Sequence, residues 1–111
     1  MGKYRKLFHL KKACGVYQLM IGRKTYIGSS ANIFDRLIKH ASHLRRNTHQ
    51  NKKLQLAFNK NKKIKYRVLK FCEVNELSMI EQFYVNKYNP ILNNRNKIAQ
   101  SRTEYKSHYK Q

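Results

Sequence analysis

The stretch GVYQLMIGRKTYIGSS, residues Gly15 to Ser30, decides the fold. Its only charged residues, Arg23 and Lys24, sit beside Gly22, with Val16, Leu19, Met20 and Ile21 before them and Thr25, Tyr26 and Ile27 after. Two strands joined by a glycine-containing turn satisfy that pattern, so a hairpin is expected. Its register decides whether Tyr17 and Tyr26 can act together, because side chains alternate between faces along a strand. A two- or four-residue loop around Gly22 and Arg23 pairs Tyr17 with Gly28 and Tyr26 with Leu19. Both phenols then share one face at a diagonal separation of ~7–8 Å, and Gly28 leaves space beside Tyr17. A three-residue loop without a bulge would split them.

Outward from the hairpin, Asn32 is placed to cap a helix, with Asp35 three residues on, where a carboxylate suits the positive helix end. Phe34, Leu37, Ile38, Ala41 and Leu44 form its apolar stripe, and Arg36 and His40, four residues apart, lie together at the edge of that stripe. A second helical pattern lies in HQNKKLQLAFNKNKK, with Leu54, Ala57 and Phe58 on one side. Ile64, Tyr66 and Val68 alternate with Lys65 and Arg67 as a third strand. Asn75 can cap a last helix whose apolar side runs through Leu77, Ile80, Tyr84 and Tyr88 and which ends before Pro90. Glu81 lies close to that side, so part of its carboxylate should lose water, a costly state that a neighbouring cation would relieve.

The chain has 111 residues, with 25 Lys and Arg against 5 Asp and Glu and a formal charge of +20. That length suits one modest core. The charge calls for a polyanionic partner, nucleic acid first and an anionic membrane second. No apolar run approaches the ~20 residues that span a bilayer, and MGKYRKLFHLKK lacks an apolar signal core. Lys6 also breaks the myristoylation pattern. A cytoplasmic location, or the host cytoplasm for a phage-encoded chain, is therefore expected, with Cys14 and Cys72 as buried thiols. No His stands at a finger-like spacing from either Cys. Residues 1–12 read as a basic leader, 13–94 as the domain, and 95–111 as a short basic tail with a Ser101-x-x-Glu104 capping pattern.

Gly15-Val16-Tyr17, Tyr26-Ile27-Gly28-Ser29, Asn32, Arg36, His40, a late helix with Glu81, and Asn93 together resemble the GIY-YIG nuclease pattern over residues 13 to 94. Within that superfamily, SSANIFDRLIKH, LQLAFNK and EQFYVNKYNPILN resemble the catalytic domain of intron- and phage-type homing endonucleases. The eight residues between the tyrosines are fewer than in most members, so a tight hairpin loop is expected. The resemblance implies an α+β fold, a small three-stranded antiparallel sheet flanked by helices. It also implies a DNA endonuclease using one Mg²⁺ or Mn²⁺ and leaving 5′-phosphate and 3′-hydroxyl ends.

The chemistry gives six of the matched residues a reason. Cutting a phosphodiester needs a deprotonated water, neutralisation of charge on the phosphoryl oxygens and help for the leaving alkoxide. Glu81 would hold the single metal, which takes one carboxylate plus waters and substrate oxygens. Arg36 offers a planar fork of donors to a phosphate oxygen. Tyr17 is the favoured general base with Tyr26 as its support, and nearby cations are expected to lower the phenol pKa from its usual ~10. His40 would bond the attacking water or relay its proton. Asn93 would either contact phosphate or shape the site through backbone hydrogen bonds.

Lys11, Lys12, Arg45, Arg46, Lys52 and Lys53, with Lys60, Lys62 and Lys63, would bind DNA phosphates and set position without reading bases. The expected whole is a free-standing homing-type nuclease whose affinity comes mostly from backbone contacts. The competing readings are a non-catalytic nucleic-acid-binding protein and a restriction endonuclease of the same fold.

Overall fold

A computed structural model describes residues 9–93. Most of the basic leader and the tail with its Ser101-x-x-Glu104 pattern lie outside the described residues. The elements run β1 (Gly15–Ile21), β2 (Lys24–Ser30), α1 (Ile33–Arg45), α2 (Lys52–Asn61), β3 (Lys65–Phe71), a 3₁₀ turn (Val74–Glu76) and α3 (Leu77–Tyr88). The three strands form one antiparallel sheet in the order β2-β1-β3. This is the α+β architecture expected from the sequence.

The hairpin closes with two residues, Gly22 and Arg23, and Gly22 has φ +62°. Glycine with positive φ at the first loop position is what a tight hairpin of the II′ type requires. The register follows: Tyr17 opposes Gly28 and Leu19 opposes Tyr26. On the other side of β1 the ladder to β3 slips between Val16 and Tyr17, so that Tyr17 opposes Val68. A bulge of this kind re-aims a side chain locally, and here it falls at the first tyrosine.

Alternation along the strands builds two apolar layers. Tyr17, Leu19 and Ile21 face α1 and α2, packing with Ile33, Leu37, Leu44, Leu54 and Ala57. Val16 and Ile27 face α3, packing with Val85, Ile80, Tyr84 and Leu69. The central strand therefore has both faces covered, which explains why its residues Gly15 to Leu19 are all buried and why the segment carries so little charge.

The caps hold the helices that frame the site. Asn32 Oδ1 accepts from the Asp35 N–H at 3.1 Å, and Asn51 Oδ1 accepts from the Leu54 N–H at 3.1 Å. The last helix differs from expectation at its start. Glu73, not Asn75, caps the 3₁₀ turn, exchanging side-chain and backbone bonds with Glu76 in a capping box. Its buried residue is Val85, whereas Tyr88 is exposed. Cys14 and Cys72 are free and half-buried at the adjoining ends of β1 and β3, where Cys72 N–H donates to the Cys14 carbonyl at 3.0 Å. Among the described residues no helix is long and apolar enough to cross a membrane.

Candidate active site

The two tyrosines meet over one histidine. Tyr17 is fully buried, and its Oη lies 2.7 Å from His40 Nε2. The rings of Tyr17 and Tyr26 both approach the His40 ring edge-on, with centroids 5.8 and 5.5 Å away. Gly28 makes the arrangement possible. A Cβ built there would stand 2.6 Å from Tyr17 Oη and 3.0 Å from Tyr26 Cε2, inside van der Waals contact of both phenols.

His40 is buried instead of lying at the margin of its helix stripe, while Arg36, one turn earlier, is exposed. Its second nitrogen, Nδ1, is 2.8 Å from His49 Nε2, and the two rings are parallel to within 9°. Burial first, then the neighbouring His49, Arg36 and His43, pulls the His40 pKa down to about 3, so the ring is neutral. With one nitrogen on Tyr17 and the other on His49, His40 has none left to bond an attacking water directly.

Glu81 comes from the other layer. It projects from α3, which packs on the sheet face opposite Tyr17, and its Oε1 accepts a 2.5 Å bond from the Ser29 hydroxyl. Because β2 is an edge strand, groups from both faces can meet around it. Tyr17, Tyr26, Gly28, Ser29, Arg36 and Glu81 accordingly line one cleft of about 620 Å³. Burial raises the Glu81 pKa, opposed by the Ser29 hydroxyl and the Arg36 guanidinium. Its hydrogen-bond partner among the described residues is thus a neutral hydroxyl and not the cation that the charge balance suggested.

The phenols are perturbed in the direction opposite to the expectation. Burial raises the Tyr17 pKa far more than the adjacent Arg36 guanidinium lowers it, and Tyr26 and Glu81 add to the rise. Tyr26 is raised too, by burial and by Glu81. The cations around the cleft are outweighed because taking a phenolate out of water costs more than a guanidinium at the cleft mouth returns.

Asn93 reaches the cleft by a different route. Its Oδ1 accepts from Ile27 N–H at 2.8 Å and its Nδ2 donates to the Ile27 carbonyl at 2.9 Å. One side-chain amide thereby pairs with the free edge of β2 as a neighbouring strand would, and the adjacent Leu92 N–H donates to the Thr25 carbonyl at 3.0 Å. Of the two roles left open by the sequence, the geometry fits the one that shapes the site.

All six residues singled out for chemistry, Tyr17, Tyr26, Arg36, His40, Glu81 and Asn93, line this cleft. Lys11, Lys12, Arg45, Arg46, Lys52 and Lys53 are exposed but do not, whereas Lys39 does. Sequence reasoning gave no role to Ser29, His49 or Asn51. Ser29 follows directly on Gly28 in the strand, with its side chain on the alternate face, a signal the alternation rule could have given. His49 is nine residues from His40 across a helix end, at no regular spacing. Its visible clue is its position two before the helix cap Asn51.

The hairpin thus holds two phenols against a buried imidazole, with a guanidinium and a carboxylate lining the same cleft. The chain belongs to the GIY-YIG nuclease family: the model of the GIY-YIG catalytic domain matches residues 13–97, and the protein is a GIY-YIG-type endonuclease. Two solved structures of the intron endonuclease I-TevI show the same fold. The catalytic domain of homing endonuclease I-TevI superposes with a TM-score of 0.64 and 26% identity, over 68% of this chain and 88% of that one. A mutant of the same catalytic domain gives a TM-score of 0.64 and 26% identity, over 69% and 84%. No curated protein sequence matches the chain significantly.

Proposed function

We propose that this endonuclease hydrolyses DNA phosphodiester bonds with one bound Mg²⁺ or Mn²⁺, leaving 5′-phosphate and 3′-hydroxyl ends, as a free-standing homing-type nuclease. The observation that carries the proposal is the meeting of Tyr17, Arg36 and Glu81 on one cleft although they come from a central strand and from helices on opposite faces of the sheet.

The donor set fits a hard divalent cation. Among the described residues no group of three or more His, Cys, Asp or Glu is placed to hold a metal ion, so the fit rests on the Glu81 carboxylate. Mg²⁺ takes one or two carboxylates and completes its shell with water and substrate oxygens. Glu81 uses Oε1 to accept from Ser29, leaving Oε2 without a hydrogen-bond partner among the described residues. Glu81 is the residue that would hold the metal, and the metal would neutralise charge developing on the leaving oxygen.

The remaining steps belong to side chains. Arg36, exposed at the mouth, grips a non-bridging phosphate oxygen and orients the scissile bond. Tyr17 takes the proton of the attacking water, and Tyr26, stacked edge-on against the same imidazole, supports it. Lys39 at the rim and the wider basic surface hold the DNA backbone, supplying sequence-independent affinity.

Supercoiled plasmid, incubated with the protein plus Mg²⁺ or plus EDTA, tests the proposal. Nicking in Mg²⁺, none in EDTA, and none for Glu81→Ala are expected. Undiminished cleavage by Glu81→Ala would remove the metal assignment.

A further inference from the structure

His40 and His49 make a hydrogen-bond chain whose direction can be read from one fixed end. The backbone N–H of Asn51 lies 3.0 Å from His49 Nδ1 and can only donate. His49 Nδ1 is therefore an acceptor, and a neutral imidazole whose Nδ1 accepts carries its proton on Nε2. That Nε2–H points at His40 Nδ1, 2.8 Å away. His40 Nδ1 must in turn accept, which leaves the His40 proton on Nε2, 2.7 Å from Tyr17 Oη. Running the chain the other way would set two N–H groups against each other at Asn51.

We propose that His49 is a positioning residue that locks His40 in its Nε2–H tautomer, so that His40 donates a hydrogen bond to the Tyr17 oxygen instead of accepting its proton. The inference rests on the reading of Tyr17 as the general base. His49 is itself clamped: its backbone N–H donates to Gln55 Oε1 at 3.0 Å, and Asn51 caps α2, so the first turn of that helix sets the ring's position. The neutral state that the chain requires agrees with burial, which lowers the pKa of both histidines.

The direction matters for the chemistry. A donor aimed at the Tyr17 oxygen stabilises phenolate in a site whose burial opposes it, and it frees the hydroxyl's own proton, or the phenolate lone pair, to face the cleft. The resting phenol first gives its own proton to solvent in the cleft, and the phenolate then takes one from the attacking water, so that the O–H bond broken in that step is the water's and the one formed is at Tyr17. His40 keeps its proton throughout.

Long-range proton–nitrogen NMR correlation of ¹⁵N-histidine-labelled protein near neutral pH reads the tautomers directly. Protonated Nε2 and bare Nδ1 are expected at both His40 and His49. His49→Phe keeps a flat ring against His40 but removes the donor. In that variant His40 should lose its single tautomer, and kcat for plasmid nicking should fall about tenfold with KM for DNA unchanged. His49→Gln, which brings an amide donor to the same place, should restore the tautomer and most of the rate.

A native His40 protonated on Nδ1, or a folded His49→Phe protein that keeps the Nε2–H form and full kcat, would overturn the proposal. The native and His49→Gln spectra decide it even where His49→Phe fails to fold. Full activity of Tyr17→Phe would instead defeat the general-base reading and leave the tautomer spectrum as described.

Discussion

Tyr17 Oη sits 2.7 Å from His40 Nε2 with both side chains buried, so the phenol has a fixed partner before any substrate arrives. Removing only that oxygen separates chemistry from packing. Tyr17→Phe keeps the ring in the core but leaves the His40 nitrogen unpaired, which should cost about 1–3 kcal/mol of stability. Loss of the proposed general base should lower single-turnover plasmid nicking by about 10²–10⁴-fold. In the proposed supporting role of its phenol, Tyr26→Phe should lose less. Nicking rates and thermal melts of the two variants, compared in the same buffer, check the order.

The buried imidazole also makes stability depend on pH. The folded His40 pKa, about 3, lies below the ~6.5 of an unfolded chain. Below pH ~6.5 the unfolded state therefore binds the extra proton, and stability falls as the pH drops until the folded ring protonates as well. His49, also depressed, adds to the loss in the same direction. Unfolding free energy, followed by melting temperature, should hold near neutral pH and decline steadily between about pH 6.5 and 4, by an amount on the order of a few kcal/mol. In His40→Gln the decline should be shallower. An equally steep decline in that variant would show that other groups control acid unfolding.

Gly28 faces the two phenols, and an added methyl has no room. Its Cβ would stand 2.6 Å from Tyr17 Oη, 2.8 Å from Tyr17 Cζ and 3.0 Å from Tyr26 Cε2. Neither ring can yield easily, since both pack on His40 and Tyr17 is fully buried. Gly28→Ala should cost about 1–3 kcal/mol, as overpacking does, and displace the base enough to lose about 10²-fold in rate. Plasmid nicking alongside thermal unfolding measures both. A variant with native stability and rate would show that the tyrosines need not hold this spacing.

The parts of this molecule written in local patterns were legible in its sequence. Strand alternation and a Gly22 turn give the hairpin register, and with it the shared face of Tyr17 and Tyr26. Helix spacing gives Arg36 and His40 on one line. What stayed hidden depends on long-range packing. Ser29 bonds Glu81 across 52 residues, and Asn93 pairs with Ile27 across 66. The direction of the phenol pKa shift was misread for the same reason. Charge can be counted along a chain, but the burial that outweighs it exists only after both helical layers close on the sheet.

Ser29 is the least expected contributor and gives the last prediction. Burial pushes the Glu81 pKa upward, while the Ser29 hydroxyl and the Arg36 guanidinium push it back. In the proposed role of Glu81, metal binding needs the ionised carboxylate, so protons and Mg²⁺ would compete for it and activity should fall as the pH drops through that raised pKa. Ser29→Ala removes a donor that favours the ionised form, which moves the acid limb of the rate profile to higher pH. The variant should need several-fold more Mg²⁺ than the native enzyme near pH 6, with the gap narrowing toward pH 8. Mg²⁺ titrations of nicking rate at the two pH values measure this directly. A Mg²⁺ requirement unchanged at pH 6 would mean that the Ser29 hydroxyl does not tune the carboxylate. A gap of equal size at pH 8 would mean that it holds Glu81 in place without changing its proton affinity.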